Sequence, residues 1–207
     1  MNVAPEIRVV PANEASWDDL QLVFGQTGEA ASCRCQWFTS GAGEFGATPL
    51  KVKRENLRTQ TNCDHPEAPT TTGLVAYLDG EPAGWCALQP RIDYVRLLRN
   101  RVPWTGRTED KSDEGVWSVT CFVVRKGFRN RGVSRALAAA TVDFARSRGA
   151  AAVEGYPMLV EPGKEVIWGQ LFVGSRSIFA SAGYVEVSQP TQRRFVMRID
   201  FSIPAII

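Results

Sequence analysis

The residues best suited to chemistry in this chain crowd into one turn, where Arg125, Lys126, Arg129, Arg131 and Arg135 surround Gly132. The turn follows an apolar, β-rich run, Val116 to Val124 (VWSVTCFVV), and opens onto a long amphipathic segment. Strand, basic turn and helix together make an anion site. The first amides of a helix have no partner within it, and its dipole places partial positive charge there. Gly132 lets the backbone come close to a phosphate or pyrophosphate. Two familiar phosphate loops are excluded, because the turn has neither a Gly-Lys-Ser/Thr ending nor a three-glycine dinucleotide fingerprint. A nucleic-acid surface would want interleaved aromatic residues and a broad basic face. Here Phe128 is the sole aromatic of the turn, and the 207-residue chain has a net charge of only +2.

Other groups with chemical potential are the thiols and indoles. Cys33, Cys35, Cys63 and His65 have the elements of a tetrahedral zinc site, but Cys-x-Cys is tighter than the usual zinc pair and His65 is the only histidine, so no metal is expected. Cys121 invites a covalent thiol intermediate, yet it lies in an apolar strand without a neighbouring histidine and reads as a small core residue. Trp37, Trp104 and Trp168 fall in irregular segments and are candidates to line a pocket with apolar walls. Five cysteines behind an N-terminus, MNVAPEIRVV, that lacks a signal-peptide pattern predict reduced thiols and a cytoplasmic protein. No apolar run reaches membrane-spanning length, so no membrane partner is expected.

The elements that must position these groups follow from local signals. Ile7 to Val10 reads as a strand, and Ser16 caps a helix carrying Trp17, Leu20, Leu22, Val23 and Phe24. Gly25 to Pro49, rich in Gly, Ser and Ala, reads as a long functional loop, and Leu50 to Thr61 as a polar helix. Gly73 to Leu78 and Ala83 to Gln89 form a hairpin about Asp79-Gly80. Pro90 to Gly115 is an excursion before the Val116 strand. The helix after the turn rests on Val133, Leu137, Ala140, Thr141 and Phe144 at helical spacing and ends at Gly149. Ala151 to Tyr156 is a strand, Pro157 to Gly174 irregular, Ser175 to Ala182 a short helix, and Val185 to Val187 and Arg194 to Phe201 close as strands. The whole, residues 1–207, reads as one domain.

At Arg129, Asn130, Arg131, Gly132, Val133 and Ser134 the turn resembles the acetyl-CoA loop of the GNAT superfamily of N-acetyltransferases. That loop runs Gln or Arg, two residues, Gly, one residue, then Gly or Ala. Ser134 is the departure. AYLDGEPAGWCAL resembles the family's second and third strands, and FASAGY its short helix ending at Gly183 and Tyr184. The resemblance implies the acyl-CoA N-acyltransferase fold: an α/β (α+β) domain with a mixed, mostly antiparallel sheet of about seven strands flanked by helices and splayed at its centre. It also implies acetyl-CoA as cosubstrate, with Phe122, Val123 and Val124 offering main-chain partners and Arg129 to Arg135 holding the pyrophosphate.

The same resemblance places the remaining candidates. Where some members have a Glu base, this chain has Ser118, which is able to hold a proton-carrying water. Glu154, beside the splayed gap, is the substitute base, provided that burial raises its pKa. Phe179 stands where many members place the Tyr that protonates the departing thiolate, with Tyr156 as the substitute acid. Ser175 stands where a coenzyme-contacting Asn is common. The expected activity is transfer of an acetyl group to a primary amine of a small molecule or peptide, by direct attack in a ternary complex. The alternative is a catalytically weak, coenzyme A-binding regulatory domain of the same fold. A zinc-stabilised interaction module is a third reading. Homodimer formation through the final strands is open.

Overall fold

A computed structural model describes residues 5–160 and 168–201, with side chains outside the description for residues 168–170. Seven strands form one sheet: β1 (Ile7–Pro11), β2 (Leu74–Leu78), β3 (Glu81–Pro90), β4 (Val116–Val124), β5 (Ala152–Gly155), β6 (Val185–Thr191) and β7 (Arg194–Asp200). Their order is β1-β2-β3-β4-β5-β7-β6. Only β4 and β5 run parallel. That pair needs a crossover, which the chain supplies with helix α6 (Val133–Ser147).

Alternation along the strands sends side chains to two cores. Leu74, Ala76 and Leu78 of β2 join the cluster under α6, together with Leu137, Ala138, Phe144 and Ala145 of that helix. Val75 and Tyr77 point the other way, to a cluster with Leu20, Val23 and Phe24 of α1 (Trp17–Phe24). Ser16 caps α1 as expected, its Oγ accepting from Asp19 N at 3.0 Å. Remaining helices are α2 (Gly28–Cys33), α3 (Glu44–Ala47), α4 (Leu50–Thr61), α5 (Val95–Arg99) and α7 (Arg176–Ser181). The Gly25 to Pro49 segment is therefore not one long loop. Its two helices span only six and four residues, too short to show a periodicity. Among the described residues no helix is long and apolar enough to cross a membrane.

One irregularity shapes the centre of the sheet. Ala87 of β3 pairs with Cys121 while the next residue, Leu88, pairs with Val119, so Thr120 is an extra residue in β4. Val119 and Phe122, three apart, consequently share one core, and Cys121 between them belongs to the other. Parallel pairing stops at the same place: Val116–Val119 matches Ala152–Gly155 and goes no further. The chain beyond β5 turns away, and Met158 bridges instead to Ser175 and Arg194. From Thr120 to Val124, β4 has a strand on one side only, which is the central splay the resemblance implied.

Candidate active site

A cavity of about 1400 Å³ opens along this free edge. Cys121, Phe122, Val123 and Val124 line it, leading to the basic turn and the first residues of α6. The opposite wall comes from the end of α1, from α2 and from Trp37, Phe38 and Phe45, and a third side from Leu171, Phe172, Gly174 and Ile178.

The turn is built from its backbone outward. Arg125 N donates to Ala83 O at 2.9 Å and its Nη1 to Pro82 O at 3.1 Å, tying the turn to the β2–β3 hairpin. Guanidinium groups of Arg125 and Arg131 lie 5.1 and 5.7 Å from the Phe128 ring centre. Arg131 also reaches Asp79 at 3.4 Å, so it faces the hairpin, and it is the one residue of the six-residue loop outside the cavity lining. Gly132 precedes α6 with φ +87°, a conformation that costs other residues about 1–2 kcal/mol. No side chain caps this helix and its first turn holds no acid. The N-terminal residues Val133 and Ser134 therefore meet the cavity with no acid from the helix's own first turn beside them, in company with Arg129, Asn130 and Arg135. An uncapped helix end among cations fits a pyrophosphate.

Ser118, Glu154 and Tyr156 are brought together, but behind the cavity rather than in its lining. The Tyr156 hydroxyl donates to Glu154 Oε2 at 2.9 Å. With its only proton committed, it accepts from Ser118 Oγ at 3.0 Å. Glu154 Oε1 takes Arg91 Nη1 at 3.3 Å, Arg107 Nη2 at 2.6 Å and Arg198 Nη1 at 2.6 Å. Burial pushes the Glu154 pKa up, but Arg107, Arg91 and Arg198 together outweigh it, and the carboxyl is held below its ordinary value. The expected raised pKa is thus corrected: this carboxylate is fully buried, saturated with donors and kept ionised. Burial, then the charge of Glu154, pushes the Tyr156 phenol far above its ordinary range.

Phe179 is also a core residue. Its ring lies edge-on to Phe122 and Tyr184, 5.7 and 5.0 Å between centres, and rests on Gly155, where a Cβ would overlap it. Neither Phe179 nor Ser175, whose Oγ bonds Ser177 Oγ at 3.0 Å, is among the lining residues; Ile178 and Gly174 take those places. Trp104, a candidate for the acceptor wall, is buried elsewhere. Its indole donates to Leu97 O at 3.0 Å, with Arg91 and Arg107 stacked 5.1 and 4.9 Å from the ring. Trp168 has its side chain outside the described residues.

The aromatic side of the cavity was less visible in the sequence. Arg34 and Cys35 both have positive φ, +51° and +53°, a strained pair secured by bonds from Arg34 to Gln21 Oε1 and Gly25 O, each 3.0 Å. The turn directs Cys35 to the Trp85 indole, Nε1 to Sγ 3.1 Å, and to the Cys121 thiol. Beyond it Trp37 meets Phe45 edge-on at 5.0 Å, and Phe38 meets Phe172 at 6.1 Å. Arg96 stacks 4.0 Å from the Trp37 ring and donates to Trp37 O and Gly41 O, both at 2.8 Å. Lys53 sits 3.7 Å from the Phe45 ring. The zinc set is not assembled: Cys63 is buried against Thr61, and His65 faces Glu67. Among the described residues no three of His, Cys, Asp and Glu converge in a metal geometry.

A sheet parted at its parallel pair, with a basic turn and bare helix end along the free edge, defines an acyl-CoA N-acyltransferase fold. The chain belongs to the GNAT acetyltransferase family, whose model, Acetyltransferase (GNAT) family, matches residues 40–155, more than half of its length. No curated protein sequence matches it significantly. Among solved structures, one acetyltransferase is 18% identical with TM-score 0.53, covering 94% of this chain and 98% of its own. At that identity the likeness concerns the fold. Ribosomal-protein-alanine N-acetyltransferase from Brucella melitensis is 16% identical, covering 95% and 99%, with TM-score 0.49. YncA from Salmonella typhimurium, described with its cofactor acetyl-CoA, is 12% identical, covering 98% and 97%, also with TM-score 0.49.

Proposed function

We propose that the protein transfers the acetyl group of acetyl-CoA to a primary amine by direct attack in a ternary complex. One observation carries the reading: the cavity joins Cys121 to Val124, on the unpaired edge of β4, to the uncapped end of α6. The edge offers main-chain groups to an amide-bearing arm, and the helix end with Arg129, Asn130, Gly132, Val133, Ser134 and Arg135 offers amides and charge to its phosphates. Acetyl-CoA, when bound, supplies an acyl thioester. Residues Phe122 to Val124 orient its carbonyl carbon, and the wall from Phe24 to Phe45 excludes water from it. Ser118, Tyr156 and Glu154 act as positioning residues. Their hydrogen-bonded chain fixes β5 against the paired half of β4, and so fixes where the splay begins.

Calorimetric titration with acetyl-CoA and desulfo-CoA, followed by thiol release over a panel of amines, tests this reading. Binding with release is the expected result. Binding without release from any amine would favour a coenzyme-binding regulatory domain, and no binding would reduce the turn to a helix start.

A further inference from the structure

We propose that the acceptor is an arylamine, a primary amine borne on an aromatic ring, seated against the Trp37, Phe38 and Phe172 side of the cavity. This rests on the acetyl-transfer reading above and names the acceptor of that same site.

Wall chemistry is the first ground. The acceptor side includes Leu22, Phe24, Trp37, Phe38, Phe45 and Phe172 beside the polar Gln26, Thr27 and Ser32, and among the described residues the one carboxylate of the lining is Glu29, on the exposed rim. Leu22 and Trp37 are 51% and 39% exposed, large apolar groups left bare at the mouth of a cavity, which is the mark of a surface that a ligand covers. Flat rings stack on such walls.

Charge is the second. An alkylamine arrives mostly as an ammonium ion, and this cavity is cationic at the turn end. Two of the aromatic faces that elsewhere attract ammonium groups already hold protein cations, Arg96 on Trp37 and Lys53 on Phe45. Among the described lining residues only Glu29, on the exposed rim, offers negative charge to a second cation.

The third ground is proton management. Among the described residues the cavity lining holds no histidine or tyrosine, and Glu154 lies behind it, engaged by three arginines. Its thiols are Cys33, Cys35 and Cys121. Burial pushes Cys33 up to about 11 and Cys35 further above its ordinary range, so both stay protonated at neutral pH. Among the described lining residues an ammonium acceptor would meet no histidine, no tyrosine and no buried carboxylate to deprotonate it. An arylamine, with its lone pair shared into the ring, is uncharged at neutral pH and needs none before attack. In the step, the amine nitrogen bonds the acetyl carbon and the carbon–sulfur bond breaks with its electron pair going to sulfur. The proton shed by nitrogen passes to water or to the departing thiolate, giving an N-aryl acetamide and free coenzyme thiol.

Initial rates of thiol release at saturating acetyl-CoA, with p-anisidine, phenethylamine, spermidine and a Phe-Ala dipeptide, decide the matter. The expected result is highest kcat/KM for p-anisidine, flat from about pH 6 to 9, against a rise of about tenfold per pH unit for any phenethylamine turnover. Trp37→Ala should raise the p-anisidine KM roughly fivefold to tenfold and leave acetyl-CoA binding by calorimetry unchanged. Turnover of spermidine or the dipeptide without p-anisidine turnover overturns the arylamine assignment while acetyl transfer stands. Acetyl-CoA binding with no p-anisidine turnover overturns it as well. Failure to bind acetyl-CoA removes both readings.

Discussion

Replacing Glu154 by Gln separates a supporting role from a chemical one. The side chain keeps its shape and one acceptor, but Arg91, Arg107 and Arg198 lose the charge they share at Oε1, with Glu154 and Arg91 fully buried and Arg107 nearly so. Removing one partner of a buried ion pair typically costs about 3–5 kcal/mol. Glu109 beside Arg107 and Asp200 beside Arg198 compensate part of the exposed charge, so the lower end is expected, about 3 kcal/mol. For a chain of this size that lowers Tm by roughly 6–12 °C. The loss also depends on pH. A carboxyl held below its ordinary value contributes stability that is present above the unfolded pKa, near 4.5, and fades as pH falls through the folded value. The gap in Tm between wild type and Glu154→Gln, followed by scanning calorimetry from neutral to acid pH, should therefore be widest above pH 4.5 and narrow below it. The pH profile of kcat should keep its shape. A variant with wild-type Tm whose kcat loses its pH dependence would show that Glu154 is a base and that the ion cluster contributes nothing to the fold.

Four further outcomes follow from the geometry. Gly132→Glu adds a backbone conformation costing about 1–2 kcal/mol and an anion at the helix end, so acetyl-CoA affinity should fall by more than about tenfold in calorimetry; unchanged affinity would remove the turn from the site. Gly155→Ala drives a methyl group into the Phe179 ring and should cost about 1–3 kcal/mol by denaturant unfolding; wild-type stability would mean the ring is free to move. Tyr156→Phe breaks the bonds to Ser118 and Glu154 and should cost about 1–2 kcal/mol with the kcat pH profile unshifted; loss of its basic limb would identify Tyr156 as the acid. Cys33, with a thiol pKa near 11, should react with iodoacetamide at a rate still climbing about tenfold per unit at pH 9; a plateau near pH 8.5, read by peptide mapping, would contradict its burial.

Much of the frame was legible because its signals are local. The Asp79-Gly80 hairpin, the Ser16 cap, and the spacing of Val133, Leu137, Thr141 and Phe144 each specify an element within a dozen residues, and those elements stand where expected. So does the basic turn. The bulge at Thr120 was not legible, since it exists only as a mismatch between β3 and β4. Glu154 was misread for a related reason. Its type and strand are visible in the sequence, but its pKa is decided by Arg91, 63 residues away, and by Arg107 and Arg198, 47 and 44 away. Of the aromatic wall of the cavity, Trp37 was singled out in the sequence. Phe24 reads as an ordinary helix position and Phe172 falls in a stretch read as irregular, until α1 and the residues before α7 are folded against β4.

The half-paired stretch of β4 has a consequence for the protein's life without substrate. An unpaired strand edge ordinarily invites another chain to add to it. Here that edge is recessed inside a cavity rather than displayed at the rim of the sheet, so neighbouring proteins are kept off while a slender amide-bearing molecule is admitted. On the proposed reading the coenzyme arm serves as a guest strand. Fold stability then becomes a running record of acetyl-CoA supply, higher by about 2.7 kcal/mol at a hundred times Kd. A cell short of acetyl-CoA would hold this protein in its more easily unfolded form.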